Sequence, residues 1–149
     1  MSDSFNLRAP AGRYRASMTT KFSAIGLGGE DLAATLAFYR LLGVQVPDGA
    51  ESQPHVEVTV PGGVRLMWDN MPQLRKMDPT IPEPDSEHAG ASLAFDCGTP
   101  DEVDRTYARV VAAGHRGAKE PWDAFWGQRY ACVLDPNGIQ VDLFAALPS

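Results

Sequence analysis

Cysteine is scarce in this chain: its 149 residues hold only Cys97 and Cys132. Both sit among apolar neighbours, so the sequence offers no disulfide framework, and two buried reduced thiols are expected. Nothing local supplies the activating environment a nucleophilic thiol needs. Positive charge is also short, with 13 Lys and Arg against 19 Asp and Glu for a net charge of −6. The basic residues form no cluster, which argues against nucleic acid or an anionic lipid surface as the main partner. No apolar run reaches the roughly 18 to 20 residues of a membrane span, and no charged start followed by an apolar stretch marks a secretory signal. A soluble, cytoplasmic protein with a small-molecule partner is the expectation.

What the chain does have is a repeat. Residues 31–43 (DLAATLAFYRLLG) and 102–114 (EVDRTYARVVAAG) are two versions of one helical unit. Leu32, Leu36, Tyr39 and Gly43 recur 71 positions later as Val103, Tyr107, Val110 and Gly114, an i, i+4, i+7 apolar stripe closed by a C′ glycine. Pro61-Gly62-Gly63-Val64-Arg65-Leu66 likewise returns 75 positions later as Pro136-Asn137-Gly138-Ile139-Gln140-Val141. In both, a Pro-x-Gly turn hands over to a short β-branched and apolar run. Each half therefore reads as strand, helix, hairpin, and the chain as a duplication.

Residues 1–20 are polar and aperiodic and read as a flexible N-terminal arm; residues 21–147 read as a single domain. Its modules fall at about 21–70 and 90–147, joined by a linker at 71–89 in which Pro72, Pro79, Pro82 and Pro84 argue against a helix interior or a central strand. Strands are expected at 22–28, 56–60 and 64–68, then at 91–97, 128–134 and 139–144. Period-two alternation places Ile25, Leu27, Leu66, Trp68, Leu93, Phe95, Val141 and Leu143 beneath the helices. The opposite face shows small residues (Ala24, Gly26, Gly28, Ser92, Ala94) beside Arg65, Met67, Asp96, Gln140 and Asp142, a composition that suits a pocket. An inward Arg65 is expected to pair with Asp96 or Asp142, or to meet a ligand, because unpaired buried charge is costly. Pro121-Trp122-Asp123-Ala124-Phe125-Trp126-Gly127 reads as an aromatic loop before a strand, either an anchor or a stacking wall for a planar, cationic or neutral molecule.

The helix ending Phe38-Tyr39-Arg40-Leu41-Leu42-Gly43, the run Asp101-Glu102-Val103-Asp104 with Ala112-Ala113-Gly114, and Trp126-Gly127-Gln128-Arg129 followed by Asp135-Pro136-Asn137-Gly138 together resemble the vicinal oxygen chelate superfamily. This superfamily of glyoxalases, bleomycin resistance proteins and extradiol dioxygenases is matched over about residues 22–146. The resemblance implies an α+β fold of two βαβββ modules forming a cup-shaped mixed sheet with helices outside, and a homodimer. It also implies that a metalloenzyme would carry His or Glu donors at positions that fall here on Ala24, Ser92, Met67 and Asp142. Only Asp142 suits a hard cation, so no metal and no cofactor is expected. His55 and His88 are the nearest other donors; His115, after the second helix, reads as structural.

The expected function is accordingly that of the metal-free, bleomycin resistance-like branch: sequestering or carrying an aromatic or hydrophobic ligand, with antibiotic binding among the roles the resemblance implies. Arg65, Met67, Ser92, Trp122, Phe125, Trp126 and Asp142 are the expected ligand contacts. A divalent-metal-dependent lyase, isomerase or dioxygenase is the alternative, and a metal-free enzyme with Asp142 or Glu57 as general base is a third reading.

Overall fold

The computed structural model describes residues 23–81, 83 and 92–149; the arm at residues 1–20 and His88 lie outside the described residues. The first module runs β1 (Ala24–Gly29), α1 (Leu32–Leu41), β2 (His55–Thr59) and β3 (Arg65–Asn70); the second runs β4 (Ser92–Asp96), α3 (Pro100–Ala112), β5 (Arg116–Ala124), β6 (Gln128–Leu134) and β7 (Gln140–Ala146). Between them lies a short helix, α2 (Met71–Met77). The sheets have strand orders β1-β3-β2 and β4-β7-β6-β5, and in each the module's first strand lies parallel to its last.

Both main helices start and stop for the same local reasons. Asp31 and Thr99 cap the starts by accepting from the amides of Ala34 and Glu102. At the ends, Gly43 and Gly114 take φ of +87° and +95°, which lets the amides of Val44 and His115 reach back to the carbonyls of Tyr39 and Val110. The two hairpin turns also repeat bond for bond. Val60 and Gly63 donate to the carbonyls of Val64 and Val60, and Asp135 and Gly138 donate to those of Ile139 and Asp135. The duplication visible in the sequence is therefore a duplication of hydrogen-bonding geometry.

The second module realises the full βαβββ order. In the first, the chain between α1 and β2 contains no strand, only a one-turn 3₁₀ helix at Ala50–Ser52. Pro47 and Gly49, the latter at φ +78°, interrupt any extended run there. Two further differences from the sequence expectations concern residues that break patterns. Met71–Met77 is helical within the stretch expected to be a linker, because Pro72 lies in the first turn, where its missing N–H costs nothing, and Asn70 caps the helix. Trp122 lies in β5 and not in a loop. Register shifts on either side of Lys119, together with Pro121 on an edge strand, erase the alternation that would have announced that strand.

One hydrophobic core spans both modules. Leu36, Phe38, Tyr39 and Trp68 from the first half and Val103, Val110, Val141 and Leu143 from the second are fully buried. Each such Leu or Val contributes about 1.5–3 kcal/mol. The halves are also joined by polar contacts from the β6–β7 turn. The Tyr39 hydroxyl donates to Asp135 Oδ2 (2.9 Å), and Asn137 Nδ2 donates to the carbonyl of Gly28 (2.8 Å) and to Thr35 Oγ1 (3.0 Å). His115 stacks edge-on against Phe38 with ring centroids 5.1 Å apart, a packing role.

Gly117 shows how tightly α3 lies on β5. A Cβ at that position would run into the Tyr107 hydroxyl and lie 2.8 Å from the ring carbon Cζ. Gly117→Ala is expected to cost about 1–3 kcal/mol in urea unfolding, and a Tyr107→Ala background should remove most of that cost. An additive pair would show that Tyr107 does not set the limit.

Candidate functional site

Each sheet has one face under the helices and one away from them, and the outer face of the second sheet concentrates the chemistry. Strand register sets it out in rows. Trp122, Tyr130, Phe144 and Asp96 are successive cross-strand neighbours, as are Lys119, Cys132, Asp142 and Ala94 in the next row, and Leu134, Gln140 and Ser92 in the one after. Side chains of alternate residues share a face, so the aromatic row and the Asp142 row lie side by side.

The aromatic row is continuous. Trp122 and Trp126 meet Tyr130 with ring centroids 5.4 Å apart in both cases, Tyr130 stacks on Phe144 at 6.4 Å, and Phe125 leans edge-on against Trp126 at 5.0 Å. These are the offset and edge-to-face arrangements that aromatic quadrupoles favour. Lys119 Nζ lies 3.8 Å from the Trp122 ring centroid, a cation–π contact. Phe125 is 78% exposed, so the wall extends to the surface.

Asp142 joins this wall through its neighbours. Its Oδ2 accepts from the Tyr130 hydroxyl (2.7 Å) and its Oδ1 from Gln140 Nε2 (2.8 Å), and the residue is only 8% exposed. Burial, and then the hydrogen bond to Asp142, push the Tyr130 phenol well above its ordinary pKa and keep it a donor. Burial and the adjacent Asp142 carboxylate likewise push the Cys132 thiol up to about 11, so it is an unreactive thiol at neutral pH. Cys97 is half-buried and is also raised, chiefly by burial.

The outer face of the first sheet is charged. His55 Nδ1 lies 2.6 Å from Asp69 Oδ1 and its Nε2 lies 3.1 Å from Glu57 Oε1; Arg65 Nη1 donates to both Glu57 oxygens at 3.1 Å, and Arg65 Nη2 donates to Ser23 Oγ at 2.8 Å. Arg65 thus pairs with Glu57 and Ser23, and not with Asp96 or Asp142 as the sequence suggested. Asp69 and then Glu57 raise the His55 pKa above 6.5, while His55 and then Arg65 lower that of Glu57 below 4.5. The raised imidazole contributes stability that is complete below about pH 6.5 and is lost as pH rises through its folded value; the depressed carboxylate contributes stability that is lost as pH falls below 4.5. The stability advantage of the natural chain over His55→Gln is expected to be larger at pH 6 than at pH 9, as read by urea midpoints. Equal differences at both would remove the linkage.

Of the residues singled out from sequence, the structure brings together Trp122, Phe125, Trp126 and, through Tyr130, Asp142. Arg65 and Met67 lie on the other sheet, where Met67 pairs with Gly26 in the ladder, and Ser92 pairs with Gln140 at the free edge of β4. Tyr130, Phe144, Lys119 and Gln140 are members of the site not singled out as contacts. Parity along β6 and β7 would have found Tyr130, Phe144 and Gln140, since 140, 142 and 144 must share a face, as must 130 and 132; the register shifts around Lys119 put it beyond that signal.

The four metal positions implied by the resemblance do not fit a metal. Ala24 and Met67 carry no hard donor, Ser92 offers a neutral hydroxyl, and both oxygens of Asp142 are held by protein donors. Among the described residues no group of three His, Cys, Asp or Glu is arranged to hold a metal ion. Nor is any helix among them long and apolar enough to cross a membrane.

Two βαβ-type modules sharing one core, with an aromatic face turned away from the helices, define a duplicated α+β protein of the paired-module class. The model of the Glyoxalase/Bleomycin resistance protein/Dioxygenase superfamily matches residues 21–143, and the chain belongs to that superfamily. Among solved structures, a glyoxalase/bleomycin resistance protein/dioxygenase from Nocardioides is 22% identical with a TM-score of 0.64, covering 99% of this chain and 91% of that one. A glyoxalase-related enzyme from Fulvimarina pelagi is 22% identical with a TM-score of 0.68, covering 84% of this chain and 87% of its own. A family enzyme from Burkholderia phytofirmans PsJN is 21% identical with a TM-score of 0.63, covering 86% and 100%. These similarities speak to the fold. No curated protein matches the sequence.

Proposed function

We propose that this chain is a metal-independent small-molecule binding protein that holds a planar aromatic or hydrophobic ligand against the Trp122, Tyr130 and Phe144 row. The observation that carries the reading is that row's continuity, from exposed Phe125 to half-buried Phe144, beside a buried carboxylate whose own bonds are satisfied. A wall of rings gives a flat molecule large contact area at low entropic cost, while Asp142, Gln140 and Lys119 offer polar groups at its margin for orientation. The metal-dependent alternative needs donors that the implied positions lack. A homodimer, in which a second copy covers the open side of the wall, belongs to the same proposal and is read by sedimentation.

The test is titration of the intact protein with a panel of planar aromatic compounds, read by quenching of tryptophan emission, alongside elemental analysis of protein purified without added metal. Saturable quenching at one site per chain with no stoichiometric metal is the expected result. About one zinc, manganese, iron or nickel per chain would overturn the metal-independent reading, and absence of quenching across the panel would overturn the aromatic ligand.

A further inference from the structure

The two seams between the halves are built differently. At one, the β6–β7 turn of the second module reaches the first through Asp135 and Asn137, which bond Tyr39, Gly28 and Thr35. By the 75-residue repeat, Asp135 and Asn137 correspond to Val60 and Gly62 in the β2–β3 turn; by the 71-residue repeat, Tyr39 and Thr35 correspond to Val110 and Thr106. Val60 and Gly62 have no side-chain donor or acceptor with which to copy the contact. At that symmetry-related place a cavity of about 830 Å³ opens, lined by the β2–β3 turn, the chain after α1, and the whole of β4.

Its walls are the exposed end of the core. Val56 and Leu27 are buried, whereas Val58 and Ile25 further along the same strands are half-buried; Val141 and Leu143 are fully buried, whereas their β4 partners Leu93 and Phe95 are half-buried. Interiors close-pack, and a void of this size walled by apolar side chains leaves that surface in contact with water. The volume lies within the range of small-molecule sites. Gln45, Thr59, Ser92 and Asp96 supply the polar lining, and among the described residues no Lys, Arg or His lines it. Among the described lining residues Asp96 is the one charged group, its Oδ1 accepting from the Gly98 amide. An anionic head group would meet a carboxylate and no cation.

We propose that this seam cavity is a second binding site, for an uncharged, mainly aliphatic molecule bearing a hydroxyl or amide group. Its apolar walls lie on the helix side of the sheets, Ser92 and Asp96 reach it from the edge strand β4, and none of the rings of the aromatic wall lines it.

The experiment uses the intact chain and decanol, a neutral aliphatic probe with no ring to stack on the wall, titrated by calorimetry. Saturable binding of one decanol per chain is expected, at least tenfold tighter than that of decanoate. Val58→Trp, which fills the cavity, should weaken decanol binding at least tenfold, and Val60→Phe, at the turn, serves as a second filling variant should the first not fold; with N-phenyl-1-naphthylamine, an aromatic compound suited to the wall, present in excess, decanol affinity should stay within about threefold. Retention of decanol binding in both filling variants, or its loss when N-phenyl-1-naphthylamine is present, would place decanol on the aromatic wall and overturn the proposal. So would the absence of saturable binding, and binding of decanoate as tight as that of decanol would overturn the assigned ligand class.

Discussion

Replacing Asp135 with alanine is expected to destabilise the protein by about 3–5 kcal/mol, a large share of the stability of a domain this size. Asp135 is 4% exposed and serves three donors: the Tyr39 hydroxyl at 2.9 Å, and the amides of Asn137 and Ile139, each at 2.8 Å. Burial, and next the Asp135 charge, hold the Tyr39 phenol far above its ordinary pKa, so it remains a donor throughout the accessible range. Alanine leaves that fully buried hydroxyl without its acceptor and removes the bonds that shape the β6–β7 turn, and each stranded group costs about 1–3 kcal/mol. Tyr39→Phe removes one donor and strands one oxygen of the buried Asp135; it is expected to cost about 1–3 kcal/mol, less than Asp135→Ala because both amide bonds of the turn remain. Urea unfolding of the two single variants and the double gives the coupling. A cost below about 1 kcal/mol for Asp135→Ala would mean that the turn holds without its carboxylate.

The second large effect is expected at Tyr130, where a pair of substitutions separates stacking from hydrogen bonding. Tyr130→Ala removes the ring that touches Trp122, Trp126 and Phe144 and also the donor to Asp142. Loss of affinity for a planar aromatic ligand of at least 30-fold, about 2 kcal/mol, is expected, together with a stability loss of about 2–4 kcal/mol. Tyr130→Phe keeps the ring and strands one oxygen of Asp142; it should cost about 1–3 kcal/mol in stability while leaving affinity within about threefold. Fluorescence titration and urea unfolding of both variants check this. Should Tyr130→Phe lose affinity as severely as Tyr130→Ala, the ligand would be held by the hydroxyl and its carboxylate, and the stacking account would fail.

Much of this architecture was legible where local chemistry repeats. The C′ glycines Gly43 and Gly114, the caps Asp31 and Thr99, and the paired Pro-x-Gly turns each specify backbone geometry on their own, so the duplication and the core stripe of Leu32, Leu36, Tyr39, Val103 and Val110 follow directly from sequence. The site was less legible because it depends on register. That Trp122, Tyr130 and Phe144 form one row follows only once β5, β6 and β7 are aligned, and the irregularities around Lys119 hide β5 from any test of alternation. Arg65 met Glu57 instead of an aspartate of the other half because both lie on one hairpin face, a nearer partner than any reached across the seam.

The unlike seams give the two halves different freedom to change. A duplicated chain begins with two copies of every turn, and once one copy carries the cohesion between halves, its twin is relieved of that duty. Asp135 and Asn137 are tied to folding by their bonds to Tyr39, Thr35 and Gly28. Val60, at the place matching Asp135, makes no such side-chain bond across the seam, and Gly62 is held to glycine only by its own turn, at φ +100°. Saturating both turns with substitutions should therefore find intolerance at Asp135 and Asn137 and more latitude at Val60, with Gly62 and Gly63 constrained by their backbone alone. Descendants of such a chain can alter what the looser seam admits while the rest of the molecule stays as it is.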